Sequence, residues 1–181
     1  MHFLECVKGR RSVRKYKPTL IEDGLLEQIV AAASYAPSWK NTQTTRYIIV
    51  QDEVLIKELA DNCAMDFEFN KKTLYNAPAL ILVTTITGRS GFERDGSYST
   101  SKGTHWESFD AGIATQTLCL AAHLLGLGTV IMGIYDEEKV IKAVGIPKGQ
   151  KLSAMVTIGW PDEEPAMPKR KSVEELMDYK R

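Results

Sequence analysis

The longest stretch without a charged side chain, residues 111–135, restricts the possible folds of this chain more than any other feature. A run of that length is long enough to cross a bilayer as a helix. Gln116 and His123 interrupt it, however, and Gly126-Leu127-Gly128 is typical of a helix end followed by a strand. The stretch therefore predicts a buried central helix over 107–125 that leads into a buried strand.

Helical and strand patterns interleave along the rest of the chain. The residues are 44% hydrophobic and 25% charged, a globular balance that excludes wholesale disorder, collagen-like repeats and a coiled-coil rod. Apolar periodicity predicts further helices over 2–8, 25–33, 54–60 and 136–144, and strands over 47–50, 79–85, 129–132 and 152–158. Thr19-x-x-Glu22 and Ser172-x-x-Glu175 have the form of capping boxes, which predicts a helix start at each. We expect one domain over 1–181, of α/β or α+β class.

Charge and cysteine content argue against several classes of protein. Lys+Arg and Asp+Glu are both 23, and a protein that coats nucleic acid is normally basic. The three cysteines are too widely spaced for a disulfide framework or a Cys-x-x-Cys metal pair, and the three histidines show no metal-ligand spacing. Glu5 and Lys8 interrupt any N-terminal apolar region, so we expect no secretory signal. These observations predict a cytoplasmic protein with reduced thiols and no bound metal.

Arg10-Arg11-Ser12-Val13-Arg14 is the first segment that could carry chemistry. A phosphate is bound by guanidinium groups and a hydroxyl at close range. Alternate residues of an extended chain point the same way, so Arg10, Ser12 and Arg14 could face one ligand together. A solvated basic turn, and a patch for nucleic acid or lipid, are alternative interpretations.

The segment from Pro37 to Gln43 lies between a predicted helix and a predicted strand, where binding loops often occur. Ser38, Asn41 and Gln43 offer donors and acceptors that match the edge of a heteroaromatic ring. Trp39 could stack on such a ring. The alternative is a turn with local side-chain capping.

Two weaker features lie further along the chain. The order of helix, glycines and strand around Gly126 is the reverse of a Rossmann fingerprint, but Gly133 follows a strand and would let a ligand approach the backbone. Lys169 and Arg170 precede the predicted terminal helix, where cations oppose the helix dipole unless an anion is also bound. That position hints at further phosphate contacts, or else at an ordinary basic turn.

Five segments, taken in order, resemble the nitroreductase family of FMN-dependent oxidoreductases. RRSVRKY is similar to the family's phosphate-binding segment, and APSWKNTQ to its flavin-ring loop. FDAGIATQTLCLAAHLLGLGTVIMGIYD closely resembles its central helix and following strand, and IPKG and IGWP resemble its later signatures. The resemblance covers nearly the whole chain.

The resemblance implies an α+β fold with helices around a central mixed sheet, in an intertwined homodimer with FMN at the interface. It implies three groups of cofactor-binding residues. The group for the phosphate and ribityl chain comprises Arg10, Arg11, Ser12, Arg14, Lys169 and Arg170. The group that approaches the flavin ring from the partner chain comprises Pro37, Ser38, Trp39, Asn41 and Gln43. The group near the reactive ring edge comprises Asn70, Met132 and Gly133.

The chain departs from the family pattern on the substrate side. Thr44-Thr45 replaces a common Pro-Trp, and Thr73 stands where some members have a lysine, with Lys71 and Lys72 beside it. A Gly-, Ser- and Thr-rich segment over 87–105 replaces the usual substrate-side helices. We expect this segment to be a mobile lid, because it has few apolar groups to anchor it.

The activity that the resemblance implies is hydride transfer from NAD(P)H through flavin N5 to a nitroaromatic, quinone or similar acceptor, by ping-pong turnover. The flavin carries the chemistry, so no side chain is expected to act as an indispensable acid or base. Alternatives are another flavin reaction on the same fold (enone reduction, dehalogenation or flavin breakdown) and a non-enzymatic flavin sensor. We expect neither nucleic acid nor a membrane as a partner.

Overall fold

The computed structural model describes residues 2–181. Its α-helices are α1 (Phe3–Gly9), α2 (Asp23–Ala33), α3 (Glu53–Cys63), α4 (Glu68–Asn76), α5 (His105–Leu124) and α6 (Glu137–Val144). Its strands are β1 (Thr45–Val50), β2 (Ala79–Ile86), β3 (Gly128–Met132) and β4 (Gln150–Gly159). The helices and strands predicted before residue 160 are confirmed in type and order, although α4 was not predicted, and the predicted terminal helix does not form.

The four strands form one sheet in the order β1-β2-β4-β3, and all three neighbouring pairs are antiparallel. The α+β class is confirmed. The mixed pairing that the family resemblance implies is limited, among the described residues, to one parallel bridge between Ser12 and Thr129. This bridge attaches the first candidate segment to the start of β3.

Two hydrophobic clusters pack on the two faces of the sheet. Side chains alternate along β2, so Ile81 and Val83 join the cluster under α2 and α5, while Leu80 and Leu82 join the cluster with α3, α4 and α6. Both faces are covered, which is why β2 is a continuous apolar run in the sequence.

The central helix α5 is buried on one side only. Its residues Leu118, Cys119 and Ala122 are in the core. Phe109 and Leu124 on the same helix are 59% and 51% exposed. The expectation of a buried helix is therefore correct for one face, and the other face presents large apolar side chains at the surface.

Both predicted capping boxes are wrong as helix starts. At the first, α2 begins at Asp23 with Glu22 as its N-cap, and Thr19 lies outside the helix. At the second, the backbone N–H of Ser172 does donate to Glu175 Oε2 at 2.9 Å, but only a single turn follows. The side chains of this segment are all exposed, so no apolar face is buried to stabilise a helix.

The segment between β2 and α5 is an ordered series of turns. Ser90 is fully buried, and the rings of Phe92 and Tyr98 pack with centroids 4.9 Å apart. The indole of Trp106 donates to Thr100 Oγ1 at 2.8 Å. This segment therefore does contain anchoring groups, contrary to the expectation from its composition, and its mobility stays a prediction.

Two further properties of the described residues bear on the predictions. The thiols of Cys6, Cys63 and Cys119 are free and buried. Within 2–181, no helix is long and apolar enough to cross a membrane.

Candidate cofactor site

The basic segment lies in an extended conformation beside β3. The backbone N–H of Val13 donates to the carbonyl oxygen of Thr129 at 3.0 Å, and the Val13 side chain is buried. Residues on either side of a buried position in an extended chain point away from the core. Ser12 is half-buried and Arg14 is exposed, so both are available to a ligand.

Arg11 has a structural contact that its neighbours lack. Its Nη1 donates to the carbonyl oxygen of Lys8 at 2.5 Å and to that of Arg10 at 2.9 Å. Carbonyl groups at the end of a helix have no partner within the helix, and a cation there is favourable. The guanidinium group of Arg11 therefore closes the C-terminal end of α1.

The positive charge of this segment affects a neighbouring histidine. Partial burial, followed by the charges of Arg10 and Arg11, lowers the pKa of His123 below its ordinary value. His123 also packs against Gly9, where an added Cβ would lie 2.9 Å from its Nε2. His123 is thus half-buried beside the candidate anion site. The apolar pattern of α5 suggests a core position instead.

Glu163 was not identified by the sequence reasoning. Its Oε1 accepts hydrogen bonds from the backbone N–H groups of Arg14 at 2.6 Å and Lys15 at 3.2 Å. Nearby, the backbone N–H of Lys17 donates to the carbonyl oxygen of Trp160 at 2.9 Å. The segment after β4 thus holds the basic segment in its extended form, which leaves the side chain of Arg14 free.

The loop Pro37–Gln43 has an unusual backbone. Lys40, Asn41 and Gln43 all have positive φ, between 45° and 56°. Non-glycine residues rarely adopt this conformation, and it occurs often at functional sites. The hydroxyl of Ser38 accepts the backbone N–H of Gln43 at 2.9 Å, which closes the loop on itself.

Three buried polar atoms of this region have no hydrogen-bond partner among the described residues: Trp39 Nε1, Thr42 Oγ1 and Thr44 Oγ1. Buried polar groups are normally paired, and an unpaired one is costly. The concentration of three such atoms in one short segment indicates that a ligand, water or another chain completes it.

A cavity of about 770 Å³ opens beside the loop. Pro37, Ser38 and Gln43 line it together with residues of α2, β1 and α5. On its β1 wall, burial raises the pKa of Tyr47 to about 12, so its hydroxyl stays protonated at neutral pH. Three of the five predicted ring-loop residues therefore face an open space, whereas Trp39 and Asn41 do not line it.

Asn70 and Met132 meet at the far edge of the sheet. Asn70 Nδ2 donates to the carbonyl oxygen of Ile134 at 2.9 Å, just after β3. Met132 is buried, whereas Gly133 is exposed with open space where a Cβ would be. The structure thus brings together the three residues that the resemblance places near the reactive ring edge.

Thr73 does not take over the role of the missing lysine. It is buried, and its hydroxyl donates to the carbonyl oxygen of Phe69 within α4 at 2.8 Å. Lys71 Nζ lies 3.7 Å from the Glu68 carboxylate, and Lys72 is exposed. The hydroxyl of Thr73 is therefore used within its own helix, and Lys72 makes no ion pair among residues 2–181.

Within one chain the predicted site residues form separate groups. The loop Pro37–Gln43 precedes the edge strand β1, while Met132 ends the opposite edge strand β3. Three strand spacings separate these edges, a distance of about 14 Å. Lys169 and Arg170 lie in the exposed C-terminal segment, and no hydrogen bond or ion pair among residues 2–181 joins them to Arg10, Ser12 or Arg14.

Comparison with known proteins gives consistent matches. The model of the nitroreductase family matches residues 7–74 and 66–160. A protein of Archaeoglobus fulgidus, provisionally named NADH dehydrogenase/NAD(P)H nitroreductase, is 34% identical over 88% of this chain and 87% of its own length. The iodotyrosine deiodinase of Thermotoga neapolitana is 28% identical over 93% of this chain and 94% of its own length. A solved structure described as an oxidoreductase containing FMN is 29% identical with a TM-score of 0.72, and the match covers 88% of this chain and 77% of that one.

Proposed function

Since this chain belongs to the nitroreductase family, we propose that it is an FMN-dependent oxidoreductase that transfers electrons from NAD(P)H to a small organic acceptor. The observation that carries the proposal is the loop Pro37–Gln43, with its strained backbone, unpaired buried polar atoms and adjoining cavity. These features fit a loop that is completed by a polar aromatic ligand.

The side chains beside β3 fit the remainder of FMN. Arg10, Ser12 and Arg14 supply charged and neutral donors for a phosphate. From Thr129 to Met132 the strand advances about 10 Å, which separates an anion end from a ring end along one edge. When bound, FMN supplies the atom N5 that accepts and donates a hydride.

The protein's own part in this reaction is binding and orientation. Arg10, Ser12 and Arg14 would hold the phosphate end, with Lys169 and Arg170 adding positive charge. The backbone at Met132 and Gly133, with Asn70, would meet the ring edge. Fixed donors at that edge would stabilise the negative charge of a reduced ring, and no side-chain acid or base is required.

We also propose that the chain is a single domain over 1–181 that forms an intertwined homodimer. The two parts of the ring site lie at opposite edges of the sheet, so one bound ring can meet both only if a second chain supplies one of them. Exposed apolar side chains on α1, on α5 and on the C-terminal segment agree with a dimer. On α1 and α5 they are Phe3, Leu4, Val7, Phe109 and Leu124, and on the C-terminal segment they are Val173, Leu176, Met177 and Tyr179.

A second candidate is a different reaction on the same flavin. The similarity to an iodotyrosine deiodinase over almost the whole chain favours including reductive dehalogenation. The two functions share the cofactor site and differ only in the acceptor, so a panel of nitroaromatics, quinones and halophenols distinguishes them.

The decisive experiment is an absorption spectrum of the purified protein, followed by anaerobic addition of NADH or NADPH. We expect a yellow protein that releases FMN on denaturation and is bleached within one turnover time. Release of FAD, or no flavin after incubation with excess FMN, would contradict the cofactor. Flavin that is bound but not reduced by either nicotinamide would indicate a sensor.

A further inference from the structure

A buried carboxylate lies behind the ring loop. Asp110, in the first half of α5, is 3% exposed. Its Oδ2 accepts two hydrogen bonds, one from the backbone N–H of Trp39 at 3.0 Å and one from Ser90 Oγ at 2.6 Å. Asp110 also lines the cavity beside the loop. A buried charge is costly unless it is well paired, so this one indicates a specific role.

The first of these hydrogen bonds fixes the start of the strained loop. Trp39 immediately precedes Lys40 and Asn41, both of positive φ. A backbone in this conformation persists only where its surroundings determine it. The loop is held at Gln43 by its own Ser38 hydroxyl and at Trp39 by the carboxylate of Asp110. A hydrogen bond to a charged acceptor is about twice as strong as a neutral one.

The second hydrogen bond joins the loop to the segment between β2 and α5. The same oxygen that holds Trp39 holds Ser90, and Lys40 Nζ lies 3.0 Å from Glu93 Oε1. On α5, the ring of Trp106 lies 4.6 Å from that of Trp39, measured between centroids, and its indole N–H donates to Thr100 Oγ1. The ring loop and this segment are therefore linked directly by one ion pair and indirectly through Asp110 and Trp106 of α5.

We propose that Asp110 is a positioning residue, which acts through Trp39 to hold the loop Pro37–Gln43 in the shape that meets the flavin. Through Ser90 it also sets the position of the segment 88–104 relative to that loop. The inference rests on the proposed function, because it takes the loop to contact the flavin ring.

Glu107 provides a matched control. It lies one turn earlier on α5 and is equally buried, at 2% exposure. Its Oε1 accepts the backbone N–H of Gly88 at 2.7 Å and its Oε2 lies 2.6 Å from Lys151 Nζ. It makes no hydrogen bond or ion pair with the ring loop. Glu107→Gln therefore replaces a buried carboxylate on the same helix with a neutral amide and leaves the hydrogen bond to Trp39 intact.

The test compares Asp110→Ala, Asp110→Asn, Ser90→Ala and Glu107→Gln as FMN-loaded proteins. The readouts are visible circular dichroism of the bound flavin, its rate of reduction by NAD(P)H, hydrogen exchange over 37–43, and thermal stability. For Asp110→Ala we expect an altered flavin spectrum, fast exchange over 37–43 and at least about 10-fold slower reduction, from loss of a charge-assisted bond. Asp110→Asn keeps an acceptor oxygen, so we expect it to restore most of the spectrum, with a reduction rate about 3-fold below wild type.

The control variants separate positioning from general stability. Glu107→Gln should lower thermal stability but keep the wild-type flavin spectrum and a reduction rate within about twofold. Ser90→Ala should raise exchange over 88–104 and leave 37–43 protected. If both Asp110 variants match Glu107→Gln in spectrum and rate, the inference is overturned. If Asp110→Ala does not fold, the comparison of Asp110→Asn with Glu107→Gln decides in the same way.

The wild-type measurement separates failure of the proposed function from failure of the role assigned to Asp110. Wild-type protein that binds no flavin would contradict the proposed function. Wild-type protein that binds and reduces flavin, beside Asp110 variants that behave like the control, would contradict only the role of Asp110.

Discussion

Neighbouring arginines of the basic segment have different partners, and this decides what each can do. The guanidinium group of Arg11 is bound to main-chain carbonyl groups at the end of α1, whereas that of the exposed Arg14 makes only a long contact of 3.4 Å with the carbonyl oxygen of Ser12. A guanidinium group already engaged by the backbone stabilises the fold, and one that is free can bind an anion. Substitution of Arg11 is therefore expected to affect stability, and substitution of Arg14 is expected to affect cofactor affinity.

Arg10→Ala and Arg14→Ala should each weaken FMN binding about 10- to 150-fold, the range that corresponds to one charge-assisted hydrogen bond. Saturating FMN should restore most of the kcat of either variant, because the phosphate lies far from N5. Fluorescence quenching on titration of the apoprotein measures the Kd.

Two control variants accompany this measurement. Lys142→Ala removes an exposed positive charge from α6 and should leave the Kd unchanged. Arg11→Ala should lower thermal stability more than affinity. A Kd within about twofold of wild type for both Arg10→Ala and Arg14→Ala would show that these residues do not bind the phosphate.

His123 should report the arrival of the phosphate. Its pKa is lowered by burial and by the charges of Arg10 and Arg11. A phosphate bound at Arg10 offsets those charges, so FMN should raise the pKa of His123. Titration of its ring proton by NMR, with and without FMN, measures the change. An unchanged or lower pKa on binding would place the phosphate elsewhere.

The lowered pKa of His123 also makes the folded protein less stable at acidic pH. Since its pKa in the folded protein is below the ordinary value of 6.5, the unfolded chain binds more protons between the two values. The contribution of neutral His123 to the free energy of unfolding is therefore complete above pH 6.5. It is lost as the pH falls towards the pKa of His123 in the folded protein. His123→Gln should flatten the pH dependence of thermal stability in that window.

At the scale of elements, the site depends on how closely one segment approaches another. Gly128, the first residue of β3, packs directly on Val13. A Cβ added at Gly128 would lie 2.7 Å from the Val13 Cβ, which is closer than real Cβ contacts. Glycine is therefore required here by space, because the basic segment lies directly on the strand.

Gly128→Ala should push the basic segment away from β3 and weaken FMN binding by at least about 10-fold, since misplaced donors lose their hydrogen bonds to the phosphate. Gly24→Ala is the matched control, because a Cβ in the first turn of α2 meets nothing within 4 Å. Equal FMN affinity in the two variants would show that the basic segment can shift without cost.

The segment 88–104 should exchange its amide hydrogens unevenly. Its base is held by Glu107 and Asp110, whereas residues 93–98 are exposed at the tip. Hydrogen exchange should be slow at Gly88 and fast at 94–96, and a bound acceptor analogue should slow the tip if it closes as a lid. Uniform protection in the ligand-free protein would contradict a mobile tip.

For the whole molecule, the exposed apolar side chains indicate that one chain does not bury its full hydrophobic surface. The exposed face of α5, with Phe109 and Leu124, lies beside α1, which exposes Phe3 and Leu4. Exposed large apolar side chains on two neighbouring helices are typical of an interface between subunits.

Light scattering should therefore give twice the chain mass of 20.2 kDa. Phe109→Glu should shift the protein towards the monomer and weaken FMN binding in parallel, because in the proposed dimer each ring site needs a loop from the second chain. His105→Glu is a control at the exposed start of the same helix. A stable monomer that retains flavin would contradict the shared site.

The sequence by itself determined the order and type of the elements, because apolar periodicity and turn residues act over short distances. It also located the basic segment, the ring loop and the charge-free helix. It did not predict α4, whose residues are mostly polar. It wrongly predicted a helix at the C-terminus, where the capping residues have no surface to pack on and only a single turn forms.

Only the tertiary structure decided which polar groups meet. Asp110 and Trp39 are 71 residues apart, and Arg14 and Glu163 are 149 apart. No local pattern encodes such pairs, since they depend on strand order and on how α5 packs across the sheet. A charged residue at the start of a long apolar helix was the one available signal for Asp110. Its partner became evident only when packing placed the strained loop against it.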